Sequence, residues 1–403
     1  MRNRRVVITG MSVLTPIGNT LDEFWNNSLN GEIGYDLHDY KGMKRVLGLI
    51  GDFEDLAANK PAEKIGRTAN IALNAAIRAM KDAQIHVPTI DKSQAGVCIS
   101  SAISNMAYCE DIFFGEETTE NQNIYKKGLY THITCEIADE FDFQGENLIM
   151  STGCTGGIDA IGYAYEAIKY GDQQLMICGA VETPVSKVTI GSFEAIGALT
   201  KTLDKESAKE ASRPFDKTRN GFVLAEGCAI LILEEYENAI HRGAPIYAEI
   251  KAYNSCNNAY HMTDLPNNGV ALGELLIQTM EEAEVQPSDI DYLNAHGSST
   301  PQNDLFEAAA YHIAFKEYVK SLPVSSTKSM TGHPLGASSA IEIVHTVLAM
   351  KNNILPPTAN YKVKDEECDI HLISTPTEQT IDTAISNANG FSGLHGVCIL
   401  SKI

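Results

Sequence analysis

One cysteine of the chain lies in a segment that could carry out nucleophilic chemistry. The segment Ser151-Thr-Gly-Cys154-Thr-Gly-Gly157 joins a predicted strand to a predicted helix. A thiol at a helix N-terminus is close to the positive end of the helix dipole, which favours the thiolate. The flanking glycines leave room for a thioester to approach. Cys154 is therefore a candidate nucleophile, and the alternative is a structural cysteine at a tight turn.

Two histidines lie in segments of similar character. His296, in Ala-His296-Gly-Ser-Ser-Thr-Pro, follows a predicted strand, and active sites of α/β proteins gather at the C-terminal ends of strands. His333 ends the segment Lys328-Ser-Met-Thr-Gly-His333. Glu342, on the next apolar helix, would be costly if unpaired, so we expect an ion pair with Lys328. Taken alone, a histidine at the position of His296 is more often structural than catalytic.

Two loops complete the set of candidate segments. Asn387-Ala-Asn-Gly390-Phe391-Ser-Gly393 precedes the last predicted strand. It could direct a backbone N–H at an oxyanion, or it could be an ordinary turn. Ser212-Arg-Pro-Phe-Asp216 is expected to be scaffolding. It belongs to the most polar stretch of the chain, Leu203 to Lys217, which is expected to be a surface loop.

Strand-like and helix-like runs alternate along the chain, which predicts an α/β protein whose sheets are covered by helices. The helices that begin near Cys154 and Gly336 are crowded with Gly and Ala, which are tolerated where two backbones approach closely. We therefore expect two similar halves, residues 1–245 and 246–403, with these helices packed at the centre. The helix over 65–83 and the strands over 95–100 and 290–295 are further expectations.

The composition excludes several classes of site. Asp and Glu number 52 and Lys and Arg 31, a net charge of −21 that disfavours nucleic-acid binding. The nine cysteines form no C-x-x-C pair and no nucleotide-binding glycine fingerprint is present, so metal, redox-pair and nucleotide sites are not expected. The apolar runs are too short to span a membrane, and the first residues lack a signal-peptide pattern. The expectation is a cytoplasmic protein.

Taken together, the candidate segments resemble the elongating β-ketoacyl synthases of the thiolase-like fold. The resemblance covers nearly the whole chain, and the segments occur in the family's order and spacing. It implies a layered αβαβα sandwich of two pseudo-duplicated halves, with the active site between them. The segments that carry it are those around Cys154, Asp216, His296, Lys328 to His333, and Gly390-Phe391.

The resemblance also implies a role for each candidate residue. Cys154 would take an acyl group from a carrier-protein thioester, and the backbone N–H groups of Cys154 and Phe391 would form the oxyanion hole. His296 and His333 would hold the malonyl thioester and help to expel CO2, and Lys328 would organise their electrostatics. The remaining implied positions are pantetheine contacts at Ser298 and Thr300, a gating and substrate-binding position at Asn389, and supporting residues at Glu342 and Asp304.

Details of the motifs indicate a subclass. A Cys with two His separates this chain from initiating synthases, which use Cys, His and Asn, and from thiolases, which add a second Cys. Fatty-acid elongating enzymes usually carry Phe where this chain has Asn389 and Gly where it has Ser392. The Cys154 segment and Gly179-Ala-Val-Glu-Thr-Pro-Val-Ser look closer to ketosynthase subunits of type II polyketide systems. A polyketide or polyene pathway is therefore favoured, with housekeeping fatty-acid synthesis as the alternative.

The family implies protein partners rather than a bound cofactor. Substrates would arrive on the phosphopantetheine of an acidic acyl carrier protein, which needs a local basic patch on this acidic chain. Lys60, Lys64 and Arg67 could form it, and Lys126 with Lys127 is a second candidate; the alternative is that all are ordinary solvated charges. A dimer is implied, either of two copies or with a chain-length-factor subunit.

Two other functions compete with condensation. A Cys-His hydrolase would use Cys154 and His296 to cleave a thioester, but it would leave His333 and Lys328 without a role. A non-catalytic scaffold subunit would have no need of the intact Cys and His set.

Overall fold

The computed structural model describes residues 4–115, 127–266 and 268–403, and this part of the chain contains fifteen strands and twelve α-helices. The strands are β1 Val6–Leu14, β2 Tyr35–Tyr40, β3 Met43–Gly48, β4 Ala95–Ser100, β5 Asn147–Met150, β6 Leu175–Glu182, β7 Leu224–Ala225, β8 Gly227–Glu235, β9 Ala248–Asn257, β10 Tyr292–Asn294, β11 Val324–Ser325, β12 Ile354–Leu355, β13 Thr377–Glu378, β14 Thr383–Asn389 and β15 Leu394–Ser401.

The α-helices alternate with these strands, as expected from the sequence. They are α1 Leu21–Leu29, α2 Ala62–Ile65, α3 Arg67–Asp82, α4 Met106–Phe113, α5 Thr131–Phe141, α6 Gly156–Tyr170, α7 Lys187–Ala195, α8 Tyr236–His241, α9 Val270–Glu282, α10 Pro301–Phe315, α11 Lys328–Thr331 and α12 Leu335–Asn352. Within the described residues, no helix is long and apolar enough to cross a membrane.

Ten strands form the central β-structure in the order β11-β10-β14-β15-β9-β1-β8-β6-β4-β5. Five of these strands come from the first part of the chain, namely β1, β8, β6, β4 and β5. The other five, β11, β10, β14, β15 and β9, come from after residue 247. Among the described residues, the two sets pair through one short antiparallel ladder between Val6–Ile8 and Ala248–Ile250. Strands such as β8 are buried on both faces and are nearly continuous runs of apolar residues, as expected when helices cover both sides of a sheet.

The helices form three layers around the two sets of strands. Helices α3 and α5 cover the strands of the first half, and α9 and α10 cover those of the second half. Between the two sets lie α6 and α12, each of which contacts strands of both halves. Every residue of α12 from Leu335 to Met350 is buried, which explains why its sequence lacks a polar face. The result is the αβαβα sandwich of the thiolase-like fold.

The two central helices pack closely because small residues face each other. A Cβ added at Gly157 in α6 would lie 2.5 Å from the backbone nitrogen of Ala340 in α12. The expectation that the two small-residue helices meet at the centre is confirmed. Their N-terminal ends are where the candidate residues lie, since Cys154 precedes α6 and His333 precedes α12.

Two expectations from the sequence need correction. The helix expected over 65–83 is two helices, α2 and α3, separated at Gly66, whose φ of 85° no ordinary helical residue adopts. The stretch 203–217 is a surface loop only in its first part. Ser212, Phe215 and Asp216 are each 1 % exposed, because this segment packs beneath the His296 loop and against the chain around residue 363.

Candidate active site

Cys154 lies in a single 3-10 turn, Gly153–Thr155, between β5 and α6. Gly153 has a φ of 60°, in the left-handed region that favours glycine, so the sequence Gly-Cys matches the backbone that the turn requires. The thiol opens into a pocket that it shares with both candidate histidines and the Phe391 loop. The pocket is lined by Cys154, Phe193, Phe222, Thr263, Leu265, His296, Ser298, Thr300, Gln302, Asn303, His333, Leu335, Asn389, Gly390 and Phe391.

The protonation state of Cys154 differs from the sequence expectation. Burial raises the pKa of the Cys154 thiol to about 11. The Lys328 ammonium and a hydrogen bond from the Phe391 backbone N–H both lower it, but burial outweighs them. Burial therefore favours the thiol form of Cys154 over the thiolate at neutral pH.

The two imidazoles lie side by side at the pocket wall. The ring centroids of His296 and His333 are 5.2 Å apart, and the planes are nearly perpendicular. Both side chains are 3 % exposed. Burial, followed by the Lys328 charge, holds the pKa of each imidazole well below its usual value. Both rings are therefore neutral at pH 7 and can donate an N–H without carrying a charge.

Lys328 fixes the orientation of the first imidazole. Its Nζ lies 3.2 Å from His296 Nδ1 and 2.7 Å from the His296 carbonyl oxygen, and it also pairs with Glu342. An ammonium can only donate, so His296 Nδ1 accepts and the ring proton is on Nε2. The ion pair expected from the sequence is confirmed: Lys328 and Glu342 are each 1 % exposed. Burial raises the pKa of Glu342, and the ammonium acts in the opposite direction.

A second buried carboxylate, which the sequence gave no reason to choose, holds the His296 backbone. Glu307 in α10 accepts the backbone N–H groups of His296 at 2.9 Å and Gly297 at 2.7 Å. It also accepts hydrogen bonds from Asn303, Tyr311 and Asn387. The only sequence signal is its position on the helix that follows the His296 loop.

The neighbouring loop places Phe391 in the lining of the same pocket. Phe391–Gly393 forms a 3-10 turn between β14 and β15, with Ser392 at a φ of 66°. At its base, Asn389 Oδ1 accepts from His395 Nδ1 at 2.8 Å, and Asn389 Nδ2 donates to Asn303 at 3.1 Å. Asn389 therefore gives the pocket a polar wall.

Aromatic side chains connect this loop to the histidines. Phe391 stacks on Phe193, Phe193 contacts Phe222 edge-on, and Phe222 contacts His333 edge-on, with centroid separations of 6.1, 5.3 and 5.0 Å. The sequence analysis missed Phe193, Phe222 and Leu335, because single apolar residues in buried elements do not differ in pattern from core residues.

Three further predicted residues lie in or near the pocket. Ser298 and Thr300 lie at the pocket wall, with their hydroxyl oxygens 2.8 Å apart. Asp304 is fully buried outside the pocket lining, where it accepts from the Phe215 backbone N–H at 2.7 Å and lies near Arg219. Among the described residues, no group of three or more His, Cys, Asp or Glu side chains could hold a metal ion.

The predicted docking cations do not line the pocket of Cys154, and acidic side chains pair with two of the three. Lys60 pairs with Glu136 at 3.1 Å and Asp139 at 2.7 Å. Arg67 makes a two-bond contact with Glu226. Lys64 is exposed, and its Nζ contacts the carbonyl oxygen of Asn59.

The second docking candidate is not an exposed patch in the part of the chain described. Lys127 is 8 % exposed and lies over the Tyr108 ring at 4.7 Å. Lys126 lies outside the described residues.

The fold and the site define a condensing enzyme of the thiolase-like class, and comparison with known proteins identifies the family. The sequence signature of the β-ketoacyl synthase N-terminal domain matches residues 3–239, and that of the β-ketoacyl synthase C-terminal domain matches residues 247–362. The chain belongs to the β-ketoacyl synthase family, whose members are acyltransferases.

Relatives from two pathways are similar to this chain over its whole length. The tetracenomycin polyketide synthase ketoacyl synthase alpha subunit of Streptomyces glaucescens is 34 % identical, with 99 % of this chain and 97 % of that protein covered. The 3-oxoacyl-[acyl-carrier-protein] synthase 2 of Coxiella burnetii is 35 % identical, with both chains covered completely.

Solved structures extend the comparison. A ketosynthase bound to a hexaketide, in complex with its type II polyketide acyl-carrier protein, matches with a TM-score of 0.92 at 38 % identity, and each chain is covered completely. The ishigamide ketosynthase/chain length factor matches with a TM-score of 0.90 at 26 % identity, again over the whole of both chains.

Proposed function

We propose that this chain is the ketosynthase of a type II polyketide or polyene system, in which it joins an acyl group to a malonyl unit with loss of CO2. The observation that supports the mechanism best is that Cys154 shares one pocket with His296 and His333, both kept neutral by burial. A thiol that can be acylated and two uncharged N–H donors are what decarboxylative condensation requires.

The first half-reaction acylates Cys154. Its sulfur attacks the carbonyl carbon of an acyl thioester on the carrier protein, and a new C–S bond forms as the bond to the pantetheine sulfur breaks. The thiol proton of Cys154 passes to the departing sulfur. As negative charge develops on the carbonyl oxygen, the backbone N–H groups of Cys154 and Phe391 are the proposed hydrogen-bond donors to it. In the resting site, the Phe391 N–H is hydrogen-bonded to the Cys154 sulfur.

The second half-reaction consumes the malonyl thioester. His296 Nε2–H and the His333 imidazole donate to its carbonyl oxygen, the bond to the carboxylate breaks, and CO2 leaves. The electron pair of that bond becomes an enolate, whose carbon attacks the acyl carbonyl on Cys154. Collapse of the tetrahedral adduct releases the β-ketoacyl thioester on its carrier and returns the electron pair to the Cys154 sulfur, which takes up a proton.

The proposed substrate path enters beside two hydroxyl side chains. Ser298 and Thr300 lie in the pocket lining and can hydrogen-bond the amides of a pantetheine arm. On this proposal the chain itself holds no cofactor, since the phosphopantetheine belongs to the carrier protein. Dividing the chain at residues 245 and 246 assigns Cys154 to one half and both histidines to the other, so the reaction would take place between the halves.

The proposed pathway is supported by the relatives and by one residue of the pocket. Type II polyketide ketosynthases are similar to this chain over its whole length, although a fatty-acid enzyme is similar to the same extent. Asn389 adds an amide to the pocket where, by the resemblance, fatty-acid enzymes carry Phe, and an amide wall suits an oxygenated chain better than a saturated one.

The proposal includes two protein partners. The structural neighbours include a complex with an acyl-carrier protein and a ketosynthase/chain length factor, so we propose a carrier partner and a dimer, either homomeric or with such a factor. Of Lys60, Lys64 and Arg67, Lys64 is the strongest docking candidate, because acidic side chains already compensate the other two. The reaction would then take place in the cytoplasm, with the carrier protein.

The test measures CO2 release and product mass with purified chain, acyl-carrier protein and malonyl-carrier protein, with Cys154→Ala as the control. Condensation by the chain alone would establish a self-sufficient synthase and favour the fatty-acid alternative. Acylation of Cys154 with condensation only after a chain-length-factor subunit is added would support the polyketide proposal. Release of free acid without CO2 would establish a hydrolase and overturn the proposal, as would a folded chain that neither acylates nor condenses with any partner.

A further inference from the structure

A buried carboxylate lies beneath the turn that carries Cys154. Asp159, in the first turn of α6, is 6 % exposed. Its Oδ2 atom accepts hydrogen bonds from Thr152 Oγ1 at 2.5 Å and from Thr155 Oγ1 at 2.7 Å. These threonines stand on either side of Gly153 and Cys154, so one carboxylate oxygen ties the two ends of the nucleophile turn together.

The other carboxylate oxygen is held from the second half of the molecule. Asp159 Oδ1 accepts from the hydroxyl of Tyr253, in β9, at 2.8 Å. The ring reaches this position only because α6 has a glycine beneath it, since a Cβ at Gly162 would lie 2.3 Å from the Tyr253 ring. Thus a hydroxyl from one half fixes the carboxylate that sets the turn in the other half.

The hydrogen bonding requires a carboxylate rather than an amide. Three hydroxyl groups donate to Asp159, and a carboxylate offers acceptor sites on both oxygens, whereas an amide offers them on one. Burial raises the pKa of Asp159 and the three donors lower it. Substitution by Asn keeps the size and removes one acceptor, so it is a specific test of this arrangement.

We infer that Asp159, fixed by Tyr253, is a positioning residue for acyl transfer, because it sets the turn that presents both the Cys154 sulfur and the Cys154 backbone N–H. The inference rests on the proposed role of Cys154 as acyl acceptor. The histidines are held by other contacts, Lys328 and Glu307 for His296 and the Val223 carbonyl for the His333 backbone. Loss of the Asp159 contacts therefore affects acylation and leaves decarboxylation intact.

The experiment compares Asp159→Asn and Tyr253→Phe with wild type in two assays, acylation of Cys154 by acyl-carrier protein and CO2 release from malonyl-carrier protein alone. The matched control is Tyr165→Phe, which removes another tyrosine hydroxyl between α6 and β9, bonded to the Lys251 carbonyl at 3.1 Å. A small displacement of a reacting group costs up to about 100-fold in rate, so we expect Asp159→Asn to slow acylation by about 10- to 100-fold. Tyr253→Phe should show a smaller loss, and Tyr165→Phe none.

The ratio of the two rates separates positioning from a general structural effect. The inference is supported if the acylation rate falls while the rate of CO2 release stays within about 2-fold of wild type. A change of about 2-fold is smaller than the positioning losses expected above. Unchanged acylation in both variants, or equal losses in both assays, overturns it. If Asp159→Asn does not fold, Tyr253→Phe decides alone. A wild-type chain that never forms an acyl-enzyme refutes the proposed function, whereas a normal wild type with unaffected variants refutes only the role of Asp159.

Discussion

Replacing Lys328 by Met is predicted to make the stability of the protein depend steeply on pH. Lys328 and Glu342 are both 1 % exposed, and the ammonium is the charge that compensates the Glu342 carboxylate. Met keeps much of the side-chain volume but leaves a buried carboxylate without a cation, and breaking a buried pair in this way costs about 3–5 kcal/mol. With Lys328 present, burial already raises the pKa of Glu342, and loss of the ammonium raises it further.

The sign of the pH effect follows from the two pKa values of Glu342. In the unfolded chain the carboxyl ionises near its ordinary value of about 4.3, whereas in the folded variant it stays protonated beyond neutral pH. A raised pKa in the folded state means that stability is greatest below the unfolded pKa and is lost as the pH rises. One proton contributes about 1.36 kcal/mol per pH unit, so the variant should lose about 2.7 kcal/mol between pH 5.5 and 7.5.

The assay is urea unfolding of Lys328→Met at these two pH values, compared with the double variant Lys328→Met/Glu342→Gln. The double variant has no carboxyl at this position, so its stability lacks this contribution to the pH dependence. Subtracting its pH dependence from that of Lys328→Met removes the contribution of all other titrating groups. Equal pH dependence in the two variants would refute the argument, because it would mean that Glu342 remains ionised or becomes hydrated without Lys328. Both variants should also lose CO2 release, since the Nδ1 atom of His296 no longer has its donor.

Three further predictions concern the nucleophile, the second imidazole and the central helices. Cys154→Ala should form no acyl-enzyme by mass spectrometry, and an acylated variant would show that another group is the nucleophile. His333→Ala should be acylated at the wild-type rate but release little CO2, and unchanged release would remove His333 from the mechanism. Gly157→Ala should lower the free energy of unfolding by about 1–3 kcal/mol, because its Cβ would lie 2.5 Å from the Ala340 nitrogen. Gly191→Ala in α7 should raise it by up to about 1 kcal/mol, because the added Cβ would have no heavy atom within 4 Å outside its own helix and chain neighbours. Similar melting temperatures for both variants would contradict this packing argument.

The sequence contains more information about local features of the site than about its distant contacts. The Lys328–Glu342 pair was predictable because an unpaired Glu on an apolar helix is costly. The close approach of α6 and α12 was predictable from Gly157 and the small residues that it faces. By contrast, Asp159 and Tyr253 are 94 positions apart, and their contact depends on how β9 lies against α6.

The pKa of the nucleophile shows a second limit of sequence reasoning. A strand-to-helix turn indicates a helix dipole at Cys154, and this argument alone predicts a stabilised thiolate. Burial is a property of the assembled pocket, and here it raises the thiol pKa to about 11. The charge of the candidate docking residues is also a property of the folded chain. Lys60 and Arg67 are basic in the sequence, but only the fold brings Glu136 and Glu226 against them.

The arrangement of charge explains why two histidines stay neutral beside a lysine. All three N–H groups of the Lys328 ammonium have acceptors, namely His296 Nδ1, the His296 carbonyl and Glu342. Burial lowers the pKa of both imidazoles, and the Lys328 charge lowers it further, so both rings stay neutral. A charged imidazolium would protonate the enolate carbon before it reached the acyl group, whereas a neutral N–H stabilises the enolate oxygen and leaves the carbon nucleophilic. On the proposed mechanism, the buried cation thus favours carbon–carbon bond formation over simple decarboxylation.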